Sequence, residues 1–162
     1  MSLPPQKFRE IILQILYSHD ISETSQDEII SFMMHQLSVS KKNVREAWNK
    51  AMLILEDKEV IDNHIGDIST AYQFERIQKV EKSILRLSVY DLLHNKGIPP
   101  KVTISEGMRL AKKFASPEAA NFVNAILDGI YKKMSGESVD NEKIETAFEH
   151  LLESEKQNPI EE

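Results

Sequence analysis

Apolar residues return at steps of three and four along nearly the whole chain, and nowhere do they alternate over the length of a strand. Phe8, Ile11, Ile12, Ile15 and Leu16 form one such stripe; Val44, Ala47, Trp48, Ala51, Met52 and Leu55 form another. This period gathers side chains on one face of an α-helix, whereas a half-buried strand requires a period of two. A helix with one apolar face must bury it against other helices. The pattern therefore predicts an all-α chain.

Six or seven helical segments can be delimited, plus one in the tail. The first spans about Pro5 to His19, and prolines 4 and 5 suit its entry. The second spans Ser25 to Leu37, with Ile29, Ile30, Phe32, Met33 and Leu37 as its apolar set. Ser40 is the expected N-cap of the third, and a fourth covers Glu56 to Ile68. The fifth is the longest, Phe74 to Asn95, with the wide apolar band of a central helix. Gly97 and Pro99-Pro100 stop it. Thr103 and Glu106 have the spacing of a capping box for a sixth helix reaching Phe114. Ser116 caps a seventh, Pro117 takes its first position, and it ends near Ser135-Gly136. Ile144, Phe148, Leu151 and Leu152 mark a final amphipathic helix, after which the chain from Ser154 reads as disordered.

A chain of 162 residues can enclose one real core. It has no cysteine, which excludes disulfides, thiolate metal sites and a cysteine nucleophile and fits a reducing, cytoplasmic setting. No apolar run approaches the roughly 18 residues that span a bilayer, and MSLPPQKFRE lacks a signal-peptide stretch, so no membrane role is expected. The five histidines are scattered, and no HExxH, GxSxG or Gly-rich phosphate loop is present. The expectation is a protein without catalytic residues, metal or cofactor.

Net charge is −6, unevenly placed. Residues 137–162 hold 9 acidic and 2 basic side chains, a net of −7. The rest hold 17 acidic and 18 basic, a net of +1, so the acidic balance belongs to the tail and does not argue against nucleic acid elsewhere. The expected division is a helical domain over residues 5–136 and an acidic, partly helical extension over 137–162.

Three stretches carry a family resemblance: REIILQILYS (9–18), VEKSILRLSVYDLL (80–93) and IPPKVTISEGMRLAKKFASPEAANFVNAILDGI (98–130). Val80-Glu81, Ile84-Leu85-Arg86, Val102, Glu106, Leu110-Ala111-Lys112 and Phe122-Val123-Asn124 stand in the order and spacing of the NusB pattern, and the chain resembles that family of transcription antitermination factors over most of residues 5–134. The resemblance implies a single domain of two packed small helical bundles. It also implies a non-enzymatic role: pairing with the ribosomal protein NusE, binding single-stranded boxA RNA of nascent transcripts, notably from ribosomal RNA operons, and joining an RNA polymerase elongation complex that resists termination. Self-association as a homodimer is a further possibility, as is a module that binds NusE with little RNA affinity of its own.

The RNA side implied by the resemblance starts with an arginine-rich N-terminus, but here only Lys7 and Arg9 are basic. Each is either a phosphate contact or a solvated helix start. Lys112 and Lys113 precede the capped helix, where free N–H groups and the helix dipole favour an anion; the alternative is two solvated lysines. Tyr17 either packs at the core edge or stacks on a base. Glu81, Arg86 and Tyr90 of the long fifth helix are the candidate partner-binding residues, with Glu81 on the NusE-facing surface; Arg86 is equally an internal ion-pair member.

Phe122 is the ambiguous aromatic. With about 100° per residue, Ile126, Ile130, Val123 and Leu127 fall at about 40°, 80°, 100° and 140° from it. Phe122 therefore sits at the rim of the apolar stripe, with Asn121 on its polar side. A rim aromatic can stack on an unpaired base, a contact worth roughly 1–3 kcal/mol, or complete the core edge. The resemblance assigns it to the RNA side.

Overall fold

The computed structural model describes residues 3–22 and 25–157, and every regular element among them is an α-helix. Chain contacts divide it into two compact units, one ending at Lys58 and the other starting at Glu59.

In the first unit, α1 (Pro5–Ile21), α2 (Gln26–Leu37) and α3 (Lys41–Glu56) pack together, with α3 against both others. Ile11, Ile12, Ile15 and Leu16 of α1 meet a core containing Val44, Ala47, Ala51 and Ile54 of α3. Ser25 and Ser40 cap α2 and α3, accepting from the N–H of Glu28 at 3.3 Å and of Asn43 at 3.2 Å. Between them the chain turns at Ser38, whose φ of 53° is left-handed, and Val39 is buried just beyond. Phe32, expected inside, is 57% exposed; Ile29, Ile30 and Met33 take the inner face of this short helix instead.

The second unit holds α4 (Lys58–Ile68, from its second residue), α5 (Ala71–Arg76), α6 (Lys79–His94), α7 (Pro100–Phe114), α8 (Pro117–Met134) and α9 (Asn141–Gln157). Helix α6 is central: residues 83–89 are buried without interruption. It packs on α7 and α8, and α8 packs in turn on α7 and α9. Gly107 of α7 permits that close approach. A Cβ added there would lie 2.9 Å from both Leu127 Cδ1 and Ser88 Oγ.

Three boundaries differ from the sequence reading. The long helix expected over residues 74–95 is two, because Ile77 and Gln78 are extended and the buried Ile77 plugs the core between α5 and α6. No glycine or proline marks that break, so the apolar period runs through it. A capping box exists, but at Thr70–Gln73. Helix α7 starts at Pro100, which leaves Thr103 buried in its interior and Glu106 paired with Arg109 at 3.0 Å. Finally, Ser154–Gln157 continue α9; the remaining residues expected to be disordered, 158–162, lie outside the described residues. Helix α8 ends where expected, at Ser135, followed by Gly136 at a φ of 76°.

Candidate functional site

The start of α8 is built by Ser116, whose hydroxyl accepts from the Ala119 N–H at 3.0 Å. Pro117 has no N–H to offer. Of the first turn only the Glu118 N–H is left, and Glu118 brings its own carboxylate there. The phosphate seat expected from free N–H groups is thus mostly filled by the chain itself. Lys112 and Lys113 are exposed in the last turn of α7, where positive charge complements the helix dipole. Lys113 Nζ also lies 5.6 Å from the centroid of the Phe114 ring.

Asn121 is exposed, as its side of the stripe predicts. Phe122 is not at a rim. It is 0% exposed, its ring 5.6 Å from that of Phe148 and tilted 47° to it. The single-helix wheel placed Phe122 at an edge because it could not include α9, which extends the buried face past α8 and covers the ring. Phe148 in turn meets Tyr72 edge-on at 6.3 Å, and Tyr72 accepts a hydrogen bond from Arg76 at 2.8 Å.

Glu81 also departs from the surface expected of it. It lies in the first turn of α6 and is 2% exposed, with Oε2 lacking any hydrogen-bond donor. It borders a cavity of about 400 Å³ whose walls include Phe114 and Ser116 on one side and Leu151 and Glu155 of α9 on the other. Burial raises its carboxyl above the ordinary 4.5; a backbone hydrogen bond opposes this and the charge of Glu155 adds to it. Glu155 is itself raised by desolvation, offset by the nearby Arg76.

Arg86 is committed inside the fold. Its guanidinium donates twice to the Asp62 carboxylate, Nε to Oδ1 at 2.9 Å and a terminal nitrogen to Oδ2 at 3.0 Å, with 8% of the side chain exposed. Of its two readings the internal ion pair is the one observed. Tyr90 is half-buried, its ring 4.7 Å from that of His94 one turn on.

In the first unit, Lys7 is exposed and Arg9 half-buried on the opening turns of α1. Tyr17 is 40% exposed, which keeps its ring accessible.

The structure thus gathers Phe122 and Glu81 under one helix, leaves Lys112, Lys113 and Asn121 on the outside of the second unit, and turns Arg86 inward. Glu155 was not singled out from sequence, and Phe148 only as part of an apolar stripe. The spacing of Ile144, Phe148 and Leu151 announced a buried face, and only the fold reveals what lies beneath it.

The NusB family model matches residues 6–132. The chain belongs to the NusB family. It is 38% identical over 132 residues to the transcription antitermination protein NusB of Chlamydia pneumoniae, covering 82% of this chain and 82% of that one. Among solved structures it is similar to NusB of T. maritima, with 29% identity, a TM-score of 0.70 and coverage of 90% of this chain and 99% of that one. It is also similar to a chain from a structure of antitermination factors NusB and NusE in complex with double-stranded RNA, with 26% identity, a TM-score of 0.67 and coverage of 79% and 96%. NusB proteins are transcription antitermination factors. Helix α9 lies beyond the matched residues. Among the described residues no helix is long and apolar enough to cross a membrane.

Proposed function

We propose that this chain is a non-enzymatic antitermination factor that works in the cytoplasm: with NusE it binds boxA-type RNA of nascent transcripts and helps RNA polymerase resist termination. The observation that carries this is membership of the NusB family, together with a structural neighbour that holds NusE and RNA. In this reading Lys7, Arg9, Lys112 and Lys113 supply phosphate contacts, Tyr17 and Asn121 meet bases and Tyr90 faces the protein partner; Phe122 and Glu81 belong to the same face but lie buried beneath α9. The domain is residues 5–136, with 137–162 an appendage to it.

The test is an RNA titration with and without NusE at two salt concentrations, using boxA single strand and a duplex of the same sequence. Tighter binding with NusE and a falling affinity with salt are expected, since released counterions accompany every phosphate contact. No enhancement by NusE overturns the proposal.

A second reading is favoured by the complete burial of Phe122: a module that binds NusE and has little RNA affinity of its own. An unchanged RNA affinity of the complex after replacing Lys112 and Lys113 selects it.

A further inference from the structure

Helix α9 is outside the family-matched residues, yet it forms the wall over Phe122 and Glu81. Its inner face is apolar, with Ile144, Phe148 and Leu151 buried. The rest is acidic: Glu142, Glu145, Glu149, Glu153 and Glu155 against Lys143 and Lys156. The seal is uneven along its length. At Phe148 two rings are packed together. From Leu151 to Glu155 a cavity remains beneath the helix, and the buried Glu81 Oε2 has no donor. Three carboxylates border that cavity, Glu81 from α6, Glu118 from α8 and Glu155 from α9, with Arg76 of α5 acting on Glu155. Along α9, the stretch beside this cavity and the half-satisfied Glu81 carboxylate is therefore held less firmly than the stretch at Phe148.

We propose that α9 is a displaceable cover over the RNA- and partner-binding face, swinging on the connection at residues 135–140, and that the complex with NusE and RNA forms on the uncovered face. This rests on the functional reading above, which assigns Phe122 and Glu81 to that face. A face that is open only part of the time binds with its affinity reduced by the open fraction. Loosening the cover therefore tightens binding, and clamping it weakens binding.

The experiment uses the full chain, NusE and boxA RNA, with two variants of opposite expected sign. Leu151→Ala removes apolar grip from α9 and tightens the complex by at least about fivefold, the low end of ordinary coupling between sites. Glu155→Gln removes the charge that repels Glu81 without setting a cation beside Arg76, which clamps the helix and weakens the complex. Removing a negative charge alone would strengthen RNA binding, so a weakening reports the clamp. Glu155 is half-exposed, so its replacement leaves the fold intact and the sign readable even where Leu151→Ala destabilises the chain. Hydrogen exchange should show α9 amides losing protection in the complex while α8 keeps its own. Affinity unchanged or lower in Leu151→Ala, tighter binding in Glu155→Gln, or an α9 equally protected in the complex overturns the cover while RNA binding stands. Absence of RNA binding in every variant overturns the functional reading and the cover with it.

Discussion

The ring of Phe122 lies against that of Phe148, centroids 5.6 Å apart, so the aromatic assigned to RNA by resemblance is part of an intramolecular pair. Fully burying such a side chain is worth about 1.5–3 kcal/mol, and its loss also leaves a cavity. Phe122→Ala should therefore cost about 3–5 kcal/mol in urea unfolding. An exposed ring would cost at most about 0.5 kcal/mol, so a small effect would place Phe122 outside the core.

Arg86 and Asp62 form a two-pronged pair that is nearly dry on the arginine side. Asp62→Ala removes both of these hydrogen bonds from the buried guanidinium and should cost about 2–3 kcal/mol. Replacing both partners with apolar residues should recover much of that loss. A double-mutant cycle measures the coupling, and near-additivity would refute it.

Glu81 makes stability depend on pH in a fixed direction. Its folded carboxyl is raised above 4.5, first by burial. The folded state therefore prefers the protonated form, and that contribution is complete below the unfolded value and lost as pH rises through the folded one. Glu81→Gln should match the parent near about pH 4 and exceed it increasingly toward neutrality. Thermal melts across that window check it, and a gap that narrows with rising pH would contradict the assignment.

Gly107 gives a packing prediction that opposes helix propensity. Every residue but proline favours helix over glycine, but a Cβ there meets Leu127 and Ser88 at 2.9 Å within a buried seam. Gly107→Val should destabilise by about 1–3 kcal/mol. A stabilised variant would mean that α6 and α8 give way freely.

For RNA, the lysines make a quantitative claim. If both Lys112 and Lys113 contact phosphate, replacing them with alanine lowers the salt slope of single-strand binding by about 0.7 for each lost contact. An unchanged slope removes them from the interface.

How far the chain could be read in advance varied with the physics involved. The stripes at Ile11–Leu16 and Ile126–Ile130 announced their helices because the apolar period is local. The Ser40 and Ser116 caps were legible for the same reason, being set by two or three neighbouring residues. The break at Ile77–Gln78 was not, because a buried isoleucine fixes it through tertiary packing and no breaker residue stands there. The placement of Phe122 failed similarly: a helical wheel knows one helix, and the ring's burial is decided by another one some 26 positions later in the chain. Glu81 looked like a surface charge because carboxylates seldom lie buried without a partner.

The position of α9 also bears on the order of synthesis. It leaves the ribosome after α8, so the groove around Phe122 is made before the segment that fills it. Growing chains fold as they emerge, at about 5–20 residues per second. For that interval Phe122 and the Glu81 carboxyl face the ribosomal surroundings bare, and the nascent chain presents a face that the finished one conceals.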